Sequence, residues 1–344
     1  MALGLAAVVA FTCSFVYRAN AAGMVDTDKT VTITAKLADG DSTVFAQNYN
    51  GDVVVDLYKI ADVDASGNPS LNENFADSGI KIDTLKKSDV TAEDIISDIV
   101  EPAEAAISGK SAAGSINVSV SNGKGSGSLD IEKGVGIYLY VPRQVQDERY
   151  TYSFTSYILY APTSEYIVSG TGSDDWQTDL NGNYAVSFNL KSEAAQRYGS
   201  LDIVKTLDTF NQSLGKASFV FDVEATLDGK SVFSNVYTLV FNGAGSQTLT
   251  VKDIPAGAEV TVTEVYSGAS YTQVATATDL ERNEQKVLTA DIVADSTATV
   301  GFENDFDNRL EVGSIAVENT FVKDETAEGG YRYTGNNIEE GGAN

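Results

Sequence analysis

The chain has 344 residues, with 49 acidic against 23 basic residues, no histidine and a formal net charge of −26. A negative field of this size repels polyanions, so nucleic acid and anionic membranes are excluded as expected partners. The length allows two or three domains, and the 17 tyrosines with only two methionines, together with abundant Val, Thr and Ser, indicate an extracellular all-β protein.

Residues 1–21 are predicted to be a signal peptide. An apolar run is followed by the small-x-small pattern Ala19-Asn-Ala21, which is typical of a signal-peptidase site. The single cysteine, Cys13, falls inside this leader, and bulky Phe11 argues against a lipoprotein motif around it. The mature chain is therefore expected to carry no disulfide, although an exported protein would normally use one as a brace.

Residues 22–197 are predicted to form an N-terminal β domain with one short helical insert. Thr91-Ala-Glu-Asp94 has the spacing of a capping box, which predicts a helix through Ile99 that Pro102 breaks or restarts. The Gly/Ser-rich residues 121–128 are interpreted as a loop or hairpin tip. Strand patterns are predicted at Thr30 to Leu37, Asp52 to Ile60, Ser115 to Val120, Gly136 to Val141, Tyr150 to Tyr160 and Tyr184 to Leu190.

Residues 198–306 are predicted to form a second domain, a β-sandwich of immunoglobulin type. Short strands follow one another with turns between them, and Asp228-Gly229 is a strong hairpin signal. Residues 307–344 are predicted to hold one more strand, Ser314 to Val322, and then a flexible tail. This tail contains no Leu-Pro-x-Thr-Gly sorting motif, so we expect either a truncated sequence or attachment by other means.

Three strands of the second domain place one polar residue on an otherwise apolar face. Side chains alternate between the two faces of a strand, so Lys205 shares a side with Leu201 and Ile203. By the same alternation Glu264 follows Val260 and Val262, and Asn304 lies between Phe302 and Phe306. A lone buried charge costs several kcal/mol, so a lysine, a carboxyl group and a carboxamide aimed at one core require a common explanation.

The segments that carry these residues resemble the isopeptide-containing B-type domains of Gram-positive pilins and collagen adhesins. They are Gly199-Ser-Leu-Asp-Ile-Val-Lys205-Thr, Val260-Thr-Val-Thr-Glu264-Val and Val300-Gly-Phe-Glu-Asn304-Asp-Phe306. The resemblance implies that the Lys205 amine attacks the Asn304 carboxamide, that Glu264 assists proton transfer and that ammonia leaves. Burial suits this chemistry, because it lowers the pKa of an amine and raises that of a carboxyl group. The alternative is a lysine that reaches water and an asparagine that caps a strand end, and Asn319 is a rival acceptor with the same alternation.

Two other lysines are candidate linkage sites. The first domain resembles, more loosely, the N-terminal domain of sortase-assembled pilins, and Tyr184-Ala-Val-Ser-Phe-Asn-Leu-Lys191 resembles the end of the pilin motif, with Asn189-Leu190 in place of Tyr-Pro. Lys191 is thus either the amine joined to a neighbouring subunit by a sortase or an ordinary interdomain lysine. Lys59 shares the parity of Val53 and Val55 and is a candidate second isopeptide lysine. No asparagine of the first domain is predicted to face inward as the acceptor for its amine.

No metal, cofactor or external substrate is expected. Asp62, Asp64, Ser66 and Glu73 match the spacing of a calcium loop, but the flanks favour a hairpin. The mature chain has no catalytic histidine or cysteine, so the only chemistry expected is one intramolecular turnover. We therefore predict a subunit of a cell-surface fimbria or adhesin, with other pilin subunits and a sortase as partners. The alternative is a secreted or surface module that binds a host glycan or protein without polymerising.

Overall fold

A computed structural model describes residues 23–87, 89–164, 175–268, 270–274, 286–307, 320–323 and 331–334. The predicted signal peptide, Cys13 and the rival acceptor Asn319 lie outside the described residues. The chain divides into two compact units, the first spanning Met1–Gln146 and Thr151–Ala195 and the second Asp147–Tyr150 and Gln196–Asn344. Within the described ranges, no helix has the length and apolar character needed to cross a membrane.

The first unit is built from strands. In chain order they are β1 (Val31–Lys36), β2 (Gly51–Val63), β3 (Pro69–Leu71), β4 (Gly114–Ser121), β5 (Lys124–Ile131), β6 (Gly136–Pro142), β7 (Val145–Gln146), β8 (Tyr150–Phe154), β9 (Tyr157–Ala161), β10 (Tyr184–Asn189) and β11 (Ser192–Gln196). One sheet has the order β10-β1-β5-β4-β2-β6-β9, with β3 paired to β2, and a smaller sheet has the order β11-β8-β7. The alternating apolar residues of β1, Val31, Ile33 and Ala35, are fully buried, as expected for a strand with one face in the core. The predominance of strands and their assembly into sheets confirm an all-β fold.

The helical insert begins as the sequence predicts. The Thr91 hydroxyl accepts a hydrogen bond from the Asp94 backbone N–H, and the Asp94 carboxylate accepts one from the Thr91 backbone N–H. Helix α2 (Ala92–Ile95) then passes through a π-helical turn (Ile96–Val100) into α3 (Glu101–Ala106). Of the two outcomes predicted for Pro102, the structure agrees with a restart, because Pro102 lies in the first turn of α3, directly after the π-helical turn.

Other short helices were not predicted. Helix α1 (Val44–Asn48) begins at Thr43, whose side chain accepts a hydrogen bond from the Ala46 backbone N–H. The described residues also form 3-10 turns at Glu73–Phe75, Ile82–Lys86 and Gln212–Leu214. Each of these segments has only three to five residues, which is too short for a helical period to appear in the sequence.

One predicted element of the first unit was wrong, and another was confirmed only in part. The predicted strand from Tyr150 to Tyr160 is two strands, β8 and β9, which belong to different sheets. The Gly/Ser-rich stretch contains a hairpin tip at Asn122 and Gly123, both with positive φ, but its other residues belong to strands β4 and β5. Gly127 is needed inside β5 because a Cβ there would collide with the Asn117 carbonyl oxygen on β4.

The second unit is a sandwich of two four-stranded sheets. Its strands are β12 (Tyr198–Leu207), β13 (Ala217–Leu227), β14 (Lys230–Phe241), β15 (Gly245–Pro255), β16 (Glu259–Tyr266), β17 (Tyr271–Gln273), β18 (Val287–Asp291) and β19 (Thr297–Phe306). One sheet has the order β15-β12-β19-β17 and the other β14-β13-β16-β18. Strands β12 and β19, the first and last of the sandwich, are parallel neighbours.

The core of the second unit lies between these sheets. Leu201 and Ile203 from β12, Phe219 and Phe221 from β13 and Val262 from β16 all belong to one cluster of buried residues. After the sandwich, β20 (Thr320–Lys323) pairs with β21 (Tyr331–Thr334), and the predicted tail strand from Ser314 to Val322 begins outside the described residues.

Candidate cross-linking site

The three inward polar residues of the second unit meet inside the sandwich. Lys205 lies on β12 and Asn304 on β19, which pairs with β12 in a register that puts Lys205 opposite Phe302 and Leu207 opposite Asn304. Residues two apart on a strand share a face, so Asn304 lies diagonally next to Lys205 on the core side of the sheet. Glu264 reaches them from β16 of the facing sheet.

All three side chains are removed from solvent and lie in contact. Lys205 and Asn304 are 0% exposed and Glu264 is 2% exposed. Lys205 Nζ donates a hydrogen bond of 2.5 Å to Asn304 Oδ1 and lies 2.8 Å from Glu264 Oε1. The amine is therefore held between the carboxamide that it would attack and the carboxylate that would accept its proton.

The distance from the amine to the carboxamide suits nucleophilic attack. Because a C=O bond is about 1.23 Å long, the carbonyl carbon of Asn304 lies within about 3.7 Å of Lys205 Nζ. This is close to the separation from which intramolecular reactions proceed. Asn304 Nδ2, the atom that would leave as ammonia, is buried without a hydrogen-bond partner among the described residues. No hydrogen bond to a protein group described here would have to break for it to depart.

The surroundings favour a neutral amine. Burial lowers the pKa of Lys205, an effect that the Glu264 carboxylate opposes and the charge of Lys286 reinforces. The Phe219 ring, whose centre lies 4.5 Å from the Lys205 amine, acts in the opposite direction, because an aromatic face stabilises a cation. Only the neutral amine has a lone pair for attack, so the site lowers the free energy of the reactive form.

Gln273 is part of the site, and the sequence analysis missed it. Its Nε2 donates a hydrogen bond of 2.8 Å to Glu264 Oε2, and it is the register partner of Asn304 across β17 and β19. Gln273 thereby fixes the carboxylate and leaves Oε1 directed at Lys205. Strand β17 has only three residues, but the shared parity of Gln273 with buried Tyr271 was a signal that could have identified it.

Lys286 is a second lysine in these surroundings, and the sequence analysis gave it no role. It is 8% exposed, and its amine donates a 3.3 Å hydrogen bond to the Gly301 carbonyl oxygen of β19. Its own backbone carbonyl accepts a hydrogen bond from the Glu264 N–H. The parity that it shares with buried Ile292 could have revealed it.

The candidate linkage lysines of the first unit lie in different settings. Lys191 is exposed and follows the end of β10, and its backbone carbonyl accepts a hydrogen bond from the Thr155 N–H. Lys59 has the parity of Val53 and Val55 but is only partly buried. Its amine contacts the Asp62 carboxylate at 2.7 Å, with side chains 25% and 49% exposed.

The acidic residues with calcium-loop spacing are occupied by other contacts. Residues 61–63 pair with 69–71 as the predicted hairpin. The Asp64 carboxylate accepts hydrogen bonds from the backbone N–H groups of Ser66 and Asn68, which lower its pKa, those of Asn68 most. Asp62 contacts Lys59 and Asn72. Within the described ranges, no cluster of three or more acidic, histidine or cysteine side chains is arranged to hold a metal.

Comparison with known proteins gives one family match and a set of similar structures. Residues 201–307, which contain Lys205, Glu264 and Asn304, match a family described as a domain of unknown function (DUF5979). A search of curated proteins found no match.

The similar solved structures include Gram-positive pilins. The minor pilin of Streptococcus agalactiae is 12% identical over 83% of this chain and 100% of that chain, with a TM-score of 0.22. The major pilin of Streptococcus pyogenes is 14% identical over 81% and 98%, with a TM-score of 0.24. The Bacillus anthracis TIE protein is 14% identical over 81% and 34%, with a TM-score of 0.30. Likenesses with TM-scores this low carry no argument about function, which therefore rests on the site itself.

Proposed function

We propose that this chain is a structural subunit of a cell-surface fimbria or adhesin and that an autocatalytic isopeptide bond between Lys205 and Asn304 braces its second unit. The observation that carries the proposal is the buried contact of the Lys205 amine with the Asn304 carboxamide and the Glu264 carboxylate. A lysine, a carboxylate and a carboxamide buried together are costly as separate groups, and an amide bond between two of them removes a charge from the core.

The reaction conserves atoms without an external reagent. The neutral Lys205 amine attacks the Asn304 carbonyl carbon, and a C–N bond forms. Glu264 takes a proton from the attacking nitrogen and transfers it to Asn304 Nδ2, after which the C–Nδ2 bond breaks and ammonia leaves. The protein performs this step once on itself and is not an enzyme for an external substrate.

The cross-link would give an exported subunit the brace that it otherwise lacks. The only cysteine of the chain lies in the predicted leader, so the exported form has no thiol for a disulfide. The bond would join β12 to β19, the first and last strands of the sandwich. Such a subunit suits a surface fibre under mechanical load, with other pilin subunits and a sortase as its partners.

The mass of the intact protein tests the cross-link. The purified protein is expected to weigh one ammonia less than its sequence, and peptide mapping should recover Lys205 joined to Asn304. Glu264→Gln should restore the full mass, while the matched control Glu224→Gln, which changes an exposed glutamate of the same unit, should not. An unmodified mass for the folded wild type would refute the proposed bond.

Polymerisation separates a fibre subunit from a binding module. Coexpression with a class C sortase from the same gene neighbourhood should give a ladder on a denaturing gel, and Lys191→Ala should abolish it if Lys191 is the linkage amine. Lys87→Ala, at another exposed lysine of the first unit, serves as the control. A ladder that survives Lys191→Ala would assign the linkage to another lysine. No ladder from wild type would favour the non-polymerising alternative.

A further inference from the structure

The core of the second unit contains a second buried lysine, Lys286, which the proposed cross-link does not use. Lys286 lies immediately before β18, with the same parity as Leu288, Ala290 and buried Ile292. Its side chain is consequently directed inward, and the amine lies 5.5 Å from the centre of the Phe302 ring. Phe302 is the register partner of Lys205. Phe302 of β19 is therefore the sheet neighbour of Lys205 and the aromatic ring beside the Lys286 amine.

The buried charges do not balance. Lys205 and Lys286 together bring two amines, and Glu264 brings one carboxylate. If both amines were protonated, the site would hold one uncompensated positive charge in surroundings where it costs several kcal/mol. Loss of one proton removes this excess, so the electrostatics favour one neutral lysine.

The two amines differ in enclosure and in partners. The Lys286 amine retains some exposure and donates to the Gly301 carbonyl oxygen. The Lys205 amine is fully enclosed and contacts both the Asn304 carboxamide and the Glu264 carboxylate. Enclosure disfavours a charged amine at Lys205 and Glu264 favours it, so the neighbouring charge of Lys286 shifts this balance toward the neutral amine.

We propose that Lys286 is a positioning residue of the cross-linking site, whose buried ammonium group favours the neutral, nucleophilic form of the Lys205 amine. This inference rests on the proposed isopeptide function and adds a residue to it. Removal of Lys286 would leave Lys205 as the only cation facing Glu264, and this ion pair would hold the Lys205 amine in its protonated, unreactive form.

Two further carboxyl groups act from the outer side of β19. Burial lowers the pKa of Lys205 most strongly, the charge of Lys286 lowers it further, and the charges of Glu264 and Glu303 raise it. A hydrogen bond with Asp208 raises the pKa of the Glu303 carboxyl group, which reduces its charge as the pH falls. The lowering of the Lys205 pKa by Lys286 is therefore opposed by Glu264 from β16 and Glu303 from β19. Asp208, at the end of β12, contributes through its hydrogen bond with Glu303.

The pH dependence of bond formation tests the proposal. The full chain is obtained unreacted in denaturant, which its intact mass verifies, and is then diluted into buffers from mildly acidic to alkaline pH while loss of ammonia is followed by mass spectrometry. The compared proteins are wild type, Lys286→Met, Lys286→Arg and the control Lys230→Met, which changes an exposed hairpin lysine. Folding is followed in parallel by circular dichroism, so that rates refer to folded chains.

Lys286→Met is expected to react on the order of tenfold more slowly at pH 7 and to approach the wild-type rate at alkaline pH, where Lys205 is neutral without assistance. Lys286→Arg should retain the wild-type profile because it keeps the charge, and Lys230→Met should match wild type. An unchanged profile for folded Lys286→Met, or a slowing that is the same at every pH, would overturn the role of Lys286. Mapping of the bond to Lys286 would also overturn it. Failure of wild type to lose ammonia would instead refute the underlying cross-link.

Discussion

The substitution Glu264→Gln separates the effect of the covalent bond from the effect of packing. Glutamine has nearly the same volume as glutamate and can still accept the hydrogen bond that Gln273 Nε2 donates to Oε2. It cannot take a proton from Lys205, so the variant is expected to fold with the two side chains unlinked. Burial already lowers the pKa of Lys205, and the neutral amine can therefore remain in the core of the variant.

The size of the effect follows from the loop that the bond closes. Lys205 and Asn304 are 99 positions apart, and the chain-entropy treatment of cross-links gives about 4.7 kcal/mol for a loop of about 100 residues. The unfolding entropy is about 2.1 cal/mol/K per residue, or roughly 0.23 kcal/mol/K for a unit of about 110 residues. The melting temperature of the second unit is expected to fall by about 20 °C.

Differential scanning calorimetry of the full chain measures this difference. The transition of the second unit should lie about 20 °C lower in Glu264→Gln than in wild type. Mass spectrometry of each sample reports whether the bond is present. Glu224→Gln should melt like wild type. A fully cross-linked wild type that melts within a few degrees of unlinked Glu264→Gln would refute the argument that loop closure dominates.

Two further predictions concern single contacts. Gln273→Leu removes the hydrogen bond to Glu264 Oε2 and should slow ammonia loss on the order of tenfold in a refolding assay, with the final mass unchanged. The second prediction concerns Asp56, which is nearly buried in the first unit. Burial raises the pKa of Asp56, but hydrogen bonds from Arg143 and Ser115 lower it by more, so the net shift of its pKa is downward. The contribution of the Asp56 carboxylate to the free energy of unfolding should be complete above about pH 4, near the pKa of an aspartate in the unfolded chain. It should be lost as the pH falls through the lower pKa of Asp56 in the folded protein.

These two predictions have matched controls. Gln212→Leu changes an exposed glutamine in the 3-10 turn Gln212–Leu214 of the same unit, and it should leave the rate of ammonia loss unchanged. Asp56→Asn should weaken the dependence of unfolding free energy on acid, whereas Asp39→Asn, at an exposed position, should preserve it. Equal acid sensitivity of Asp56→Asn and wild type, or an undiminished rate in Gln273→Leu, would contradict the respective argument.

The parity of single strands predicted much of the second unit. Alternation alone placed Lys205, Glu264 and Asn304 on buried faces, and the structure buries all three. Alternation cannot say which strands are neighbours, because pairing depends on contacts between residues far apart in the chain. The parallel pairing of β12 with β19 brought two of these residues together, and nothing local in either strand encodes it. The chemical roles of the three residues stay predictions.

The failures of the sequence analysis have local causes. Lys59 has the parity of Val53 and Val55 but is only partly buried and contacts Asp62, because parity alone does not report how completely a side chain is covered. The glycines of β5 suggested a loop, although Gly127 is required by the close approach of β4. Gln273 was missed because a strand of three residues shows its alternation in a single pair, Tyr271 and Gln273, which is a weak signal.

The topology of the second unit also predicts how it responds to force. Strands β12 and β19 are parallel neighbours, so tension applied at the start of β12 and the end of β19 pulls them from opposite ends and shears all their hydrogen bonds at once. An isopeptide bond would transfer that tension directly from Lys205 to Asn304, close to the carboxyl ends of both strands. The residues between them would then carry no load, and the sandwich would not extend even after its hydrogen bonds fail.

Single-molecule force spectroscopy of the full chain tests this prediction. Unlinked Glu264→Gln should release the segment between Lys205 and Asn304 in one step, which adds about 34 nm of contour length for 99 residues at about 3.4 Å each. Cross-linked wild type should lack this step, while extension of the first unit should be the same in both proteins. A step of this length in molecules whose mass proves the bond would show that the bond joins other residues, because a link between Lys205 and Asn304 leaves no free length between them.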